Sequence, residues 1–212
     1  MIQTQDFDSF LVLDFEATCD RPVQLQTQEI IEFPVIKLNG QTFEIESVFQ
    51  TYVKPSVNPV LTPFCTQLTG IMQETVDNGV PFETALQMFI EWMRAQNLIA
   101  PDSYEPLSRF AFITFGNWDL QKMLVDQCNL IGTLPPEFMQ SWINLKKSFA
   151  KMNNFWPNSL SDAMNALRLP ITGRLHSGVD DCENIAAAAK KLAESGHVFK
   201  ITNKIRVKNS NF

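Results

Sequence analysis

The stretch LVLDFEATC, residues 11–19, sets two carboxylates inside an otherwise apolar run. Leu11, Val12 and Leu13 read as a buried central strand. Asp14 and Glu16 follow at spacing i, i+2, which puts both on one face if the strand continues. Two like charges on a buried face are strongly unfavourable unless something neutralises them. A divalent cation with oxygen ligands is the economical neutraliser. If the strand ended at Leu13, both acids would simply be solvated, so the remaining chain has to supply partners before a site can be read here.

The rest of the sequence reads as a mixed α/β domain. A polar, proline-containing loop over 20–28 leads to an apolar run over 29–38, and Asn39-Gly40 is a strong hairpin signal. Residues 43–53 alternate as a returning strand, so the opening predicts a three-stranded antiparallel meander. TPFCTQLTGI, residues 62–71, reads as a short turn-like segment. The spacing of Phe82, Ala85, Leu86, Phe89 and Met93 predicts a helix over 82–96. A buried strand over 110–115 ends at Gly116-Asn117, and Asn117 is an adequate N-cap for a helix reaching about Ile131. A short strand over 142–145 and helices near 146–151, 159–168 and 180–195 complete the order βββ-α-β-α-β-α.

At 212 residues the chain is the size of one domain, with a core expected over about 8–206 and a flexible basic tail over 207–212. No apolar run is long enough to span a bilayer, and the N-terminus lacks a basic region followed by an apolar core. Cys19, Cys65, Cys128 and Cys182 are scattered without a C-x-x-C pair, which predicts reduced thiols in an intracellular protein, cytoplasmic, nuclear or both. The net charge of −6 speaks against a polyanionic partner, but its distribution does not. Residues 1–140 carry 6 Lys+Arg against 18 Asp+Glu, whereas residues 141–212 carry 11 against 5. That basic C-terminal third can attract phosphate locally.

Further acids stand where a chain without chemistry does not require them. Asp119 falls in the first turn of the helix after the 110–115 strand, and Asp180 and Asp181 open the last helix. Taken singly, each is explained by the helix dipole. His176 precedes Asp181 by five residues in the glycine-containing loop HSGVDD, where an imidazole beside carboxylates is placed to act as a general base. His197, beside the basic tail and with no acid near it, reads as a surface residue.

The order Asp-x-Glu, Asp, His-x4-Asp resembles the DEDDh superfamily of 3′–5′ exonucleases. LDFEATCD, QEIIEFP, LTPFCTQLTGI, GNWDL, WINLKKSF and RLHSGVDDCENIA together are similar to its Eri-type exoribonuclease branch, over about residues 10–204. The resemblance implies a ribonuclease H-like (DnaQ-like) fold, a mixed five-stranded sheet flanked by helices. It implies two Mg2+ ions, with Mn2+ a substitute: one held by Asp14, Glu16 and Asp181, a second sharing Asp14, and Asp119 completing the shell. His176 would be the base, and the family's spacing selects Asp181 over Asp180.

By the same resemblance, Ala17 and Thr18 would meet the terminal ribose through their backbone, and Phe64, Leu68 and Trp118 would flank the 3′-terminal base. Lys146, Lys147, Lys151 and Arg174 would be phosphate contacts. The implied reaction is hydrolysis of RNA 3′ ends or overhangs to nucleoside 5′-monophosphates. Equal action on single-stranded DNA, and a catalytically weak nucleic-acid-binding scaffold, are the alternatives. No membrane partner is expected, and the sequence identifies no protein partner. Leu175 departs from the proline that often precedes the family's histidine, which bears on loop mobility and leaves His176 intact.

Overall fold

All five residues of β1 (Ser9–Leu13) are buried, with β3 (Ile30–Asn39) antiparallel on one side and β5 (Phe110–Thr114) parallel on the other. The structure is a computed structural model that describes residues 2–205. A strand with neighbours on both sides and layers on both faces is apolar in its interior, which is why Phe10–Leu13 carry no polar side chain. Leu11 and Leu13 join the cluster formed with α3 (Phe82–Ala95) and α4 (Leu124–Leu130). Phe10 and Val12 join the opposite cluster, formed with α5 (Leu145–Asn153), α6 (Leu160–Ala166) and α7 (Gly178–Glu194). The result is a helix–sheet–helix sandwich.

Five longer strands run in the order β4 (Ile45–Tyr52), β3, β1, β5, β6 (Ser141–Asn144). Two-residue strands bring the sheet to seven: β2 (Glu16–Ala17) pairs with β3, and β7 (Asn203–Lys204) pairs with β6. The expected mixed five-stranded sheet and its antiparallel meander are therefore present. The Asn39-Gly40 connection is wider than a two-residue hairpin, because the Asn39 side chain accepts the N–H groups of Gln41 and Thr42. Gly40 is required there, since a Cβ would lie 2.0 Å from the Phe7 carbonyl oxygen.

Three sequence expectations need correction. The segment expected as a turn contains a helix, α1 (Pro63–Thr69), begun by the Thr62 hydroxyl accepting Cys65 N–H at 3.0 Å and stopped by left-handed Gly70. Proline just inside the start and glycine just past the end are the signals that were available. The helix expected from Asn117 begins as a π-turn over Trp118–Met123 before α4, and the Asn117 side chain does not cap it. Instead Asn117 Oδ1 accepts Asn144 Nδ2 at 2.8 Å. His197 is 6% exposed rather than on the surface, packed edge-on against Phe199 at 4.7 Å, and burial lowers its pKa. The described chain ends shortly after β7, and the expected flexible tail at 207–212 lies outside the described residues.

Candidate active site

β1 stops at Leu13, but its register does not change across the break. Leu13 pairs with Val35 and Glu16 with Glu32, so Asp14 falls opposite Pro34, which has no N–H to give a neighbouring strand. Phe10 and Val12 face α7, and the two-residue alternation carries Asp14 and Glu16 onto that same face. The strand therefore ends where the plain reading has it end, yet Glu16 is only 8% exposed and Asp14 is half-buried.

Asp119 arrives from the other neighbour. β5 pairs with β1 only as far as Val12, leaving the N–H groups beyond without a strand partner. Asp119 Oδ1 fills one of these places by accepting Phe15 N–H at 2.9 Å. The π-turn sets this geometry, since one extra residue in the turn re-aims the side chain it carries. From the third side, α7 brings Asp181 in its first turn, and Asp181 Oδ2 accepts His176 N–H at 2.8 Å. His176 has φ 63°, the left-handed region, which turns the loop so that an exposed imidazole immediately precedes the buried helix start.

Side-chain ligand atoms of Glu16, His176 and Asp181 all lie within 4.8 Å of one another. Asp14 and Asp119 stand outside that tight group, but Asp119 acts on Glu16, and Glu16 and Asp181 act on Asp14. Burial first, and then the charges of Asp181, Glu32 and Asp119, push Glu16 up to about 9. Burial pushes Asp119 up to about 6, against the N–H groups of Phe15 and of its own backbone. Asp14 is held well above the carboxylate range by burial and by Asp119, Glu16, Asp181 and Glu32. Asp181 is raised by burial, opposed by the His176 N–H. Among the described residues, none of these carboxylates has a Lys or Arg ion-pair partner.

So many acids displaced in one direction describe a pocket short of positive charge. Asp181 Oδ1 is buried without a hydrogen-bond partner among the described residues, an orphaned acceptor on a residue of the Glu16–His176–Asp181 group. A set of hard carboxylate oxygens with one unsatisfied fits Mg2+ or Mn2+.

The remaining predicted residues are distributed unevenly. Phe64 and Leu68 on α1 are half-buried and line a cavity of about 180 Å3 with Cys19, Asp20 and Arg21, whose guanidinium lies 5.4 Å from the Phe64 ring centre. Trp118, next to Asp119, is 37% exposed. Ala17 is buried on β2. Thr18 is engaged with its neighbours: its N–H donates to the Glu29 carbonyl at 2.8 Å, and its hydroxyl accepts Glu29 N–H at 2.9 Å.

Arg174 is exposed, and its guanidinium donates to the Gln67 and Leu68 carbonyls at the end of α1. Lys146 and Lys147 likewise donate to the carbonyls of Asn158 (3.0 Å) and Thr202 (3.3 Å), while Lys151 is exposed. Asp180 accepts Arg174 N–H at 2.8 Å, so it serves the loop rather than the pocket. Sequence reasoning missed Glu32, 2% exposed and directly opposite Glu16. Its signal was an acid inside the apolar run IIEFPVI.

Residues 11–189 match the Exonuclease family RNase_T. The chain is 49% identical over 201 residues to "ERI1 exoribonuclease 3" of Mus musculus, covering 94% of this chain and 58% of that protein. It is 37% identical to "3'-5' exonuclease Snipper" of Drosophila melanogaster, covering 93% of this chain and 74% of that one. The fold superposes on the nuclease domain of 3'hExo, a DEDDh family member bound to rAMP, with TM-score 0.89 and 35% identity, covering 96% of this chain and all of that one. The chain thus spans little more than half the length of the mammalian ERI1 exoribonuclease 3 proteins. Among the described residues no helix is long and apolar enough to cross a membrane. The match over most of the chain, together with acids and a histidine gathered in the DEDDh order, shows that this chain belongs to the RNase_T family of DEDDh-type exonucleases.

Proposed function

We propose that the chain hydrolyses RNA from its 3′ end, releasing nucleoside 5′-monophosphates, in a reaction that depends on divalent cations. The observation that carries this reading is the convergence of Glu16, His176 and Asp181 within 4.8 Å beside the orphaned Asp181 Oδ1. Asp14, Glu16, Asp119 and Asp181 would hold two Mg2+, with Mn2+ as a substitute. Such ions supply charge neutralisation at the phosphate and acidify water.

The chain's own residues do the rest. His176, exposed at the mouth of the pocket, takes the proton from the attacking water. Asp181 keeps the imidazole loop in place through the His176 N–H. Phe64, Leu68 and Trp118 offer apolar surface, two of them aromatic, for the 3′-terminal base, and Ala17 and Thr18 bound the ribose position. Stacking of this kind accepts any base and suits a single-stranded end. Support for RNA comes from relatives named as exoribonucleases and from a solved relative described as recognising a histone mRNA stem-loop at its 3′ end.

Matched single-stranded RNA and DNA oligonucleotides with a 3′ label test the reading. Faster release of labelled mononucleotide from RNA is expected. Equal turnover of both would remove the ribonuclease preference, and no release from either would leave a binding protein on an exonuclease fold.

A further inference from the structure

Helix α7 has 17 residues, and the N–H groups of its first turn need acceptors. Ser177 at its N-cap makes no side-chain capping bond. The acceptor comes from another element: Glu32 Oε2, on β3, takes Gly178 N–H at 3.1 Å, and the Val179 N–H also reaches this carboxylate. Glu32 Oε1 takes Gln50 Nε2 from β4 at 2.6 Å. A buried acid on the sheet thus caps a helix that it does not precede in sequence. The partial positive charge of the helix start favours a carboxylate in that position.

Gly178 makes this docking feasible. A Cβ there would lie 2.8 Å from Pro34 Cγ, 2.9 Å from the Asp14 carbonyl oxygen and 3.1 Å from Glu32 Oε2. Only backbone fits between the helix start and the acidic strand. Two residues before Gly178 stands His176, and three residues after it stands Asp181. Both oxygens of Glu32 are engaged in hydrogen bonds, and its ligand atoms do not join the tight Glu16–His176–Asp181 group.

We propose that Glu32 is a positioning residue of the active site, which fixes the start of α7 and so aims His176 and Asp181 at the strand carrying Asp14 and Glu16. The proposal rests on the exonuclease reading for its effect on rate, but not for its effect on the loop. Glu32→Ala leaves the Gly178 and Val179 N–H groups without their acceptor, whereas Glu32→Gln keeps one oxygen to accept.

Hydrogen exchange of the 176–182 amides, kcat and KM on single-stranded RNA, and the Mg2+ half-saturation are measured for wild type and both variants. In Glu32→Ala, protection of these amides falls and kcat drops about 10–100-fold, the size expected when a group that orients a functional side chain is lost. KM stays near wild type, Mg2+ half-saturation rises because Asp181 is no longer held in place, and Glu32→Gln recovers protection, Mg2+ half-saturation and most of kcat. Should Glu32→Ala fail to fold, Glu32→Asp, one methylene shorter, provides the same comparison with Glu32→Gln.

Wild-type protection and rate in Glu32→Ala would overturn the proposal. So would a Glu32→Gln enzyme as slow as Glu32→Ala with a raised Mg2+ requirement, which would make Glu32 a charge that binds the cation. If the wild-type chain cleaves nothing, the exonuclease reading fails, and exchange of the loop amides alone still decides whether Glu32 holds the helix start.

Discussion

In the metal-free protein, Glu16 works against the fold, and Glu16→Gln is expected to relieve it. Burial and three neighbouring carboxylates raise Glu16 from 4.5 to about 9. A raised carboxyl holds more protons folded than unfolded between those values, so stability falls as pH rises through that window. At pH 7 the gap from 4.5 is about 2.5 pH units, which at about 1.4 kcal/mol each makes the penalty roughly 3 kcal/mol. Glutamine has the same shape without the charge, so the variant is more stable by up to that amount. For a domain of this size that is a rise in Tm of roughly 6–12 °C.

Thermal melts in chelator from pH 4 to 8 measure it. The advantage of Glu16→Gln is largest at neutral and alkaline pH and vanishes near pH 4, where the carboxyl is protonated in both states. Added Mg2+ raises the Tm of wild type far more than that of the variant, because the cation stabilises only a protein that binds it when folded. A variant that melts below wild type in chelator at pH 7 would refute the reasoning. So would a difference independent of pH, since either result would mean that the pocket does not penalise the charge.

Further substitutions test single residues of the pocket and of the elements that hold it. Asp14→Asn abolishes cleavage with the circular-dichroism spectrum and melting cooperativity of wild type; retained turnover would remove Asp14 from the site. His176→Ala lowers kcat by about 100-fold or more, the range of general-base catalysis, while Mg2+-dependent stabilisation persists; an unchanged rate would remove the base assignment. Gly178→Ala places a methyl within 2.9 Å of the Asp14 carbonyl oxygen, so activity falls much further than a surface helical alanine would cause. Thr62→Ala removes the cap of α1 and reduces stability by about 1 kcal/mol, read from denaturant unfolding, with the rate constant for cleavage little changed.

The parts of this protein that were legible in the sequence are those governed by one local period. The buried strand at Leu11–Leu13 and the face of α3 carrying Phe82, Ala85, Phe89 and Met93 follow from alternation and from the helical repeat. The acidic residues stood out because nothing in an apolar strand explains them. Features set by contacts between distant elements were not legible. The π-turn at Trp118 brings Asp119 to Phe15, more than 100 residues away in the chain. The hydrogen bonds of Arg174 to the carbonyls of α1, more than 100 residues away, are another such contact. His197 looked exposed beside basic residues, whereas its ring closes on Phe199. Glu32 was overlooked because the strand pattern around it is otherwise unbroken, and only the pairing with Glu16 shows what it faces.

The central claim is that the gathered carboxylates and His176 cut phosphodiester bonds from the 3′ end only with a divalent cation bound. A 5′-labelled single-stranded RNA incubated with the purified chain tests this most directly, in Mg2+ and in chelator. The expected result is a ladder that shortens progressively from the 3′ end in Mg2+, accompanied by nucleoside 5′-monophosphate, and intact RNA in chelator. Cleavage that persists in chelator, or internal cuts in place of a ladder, would contradict it.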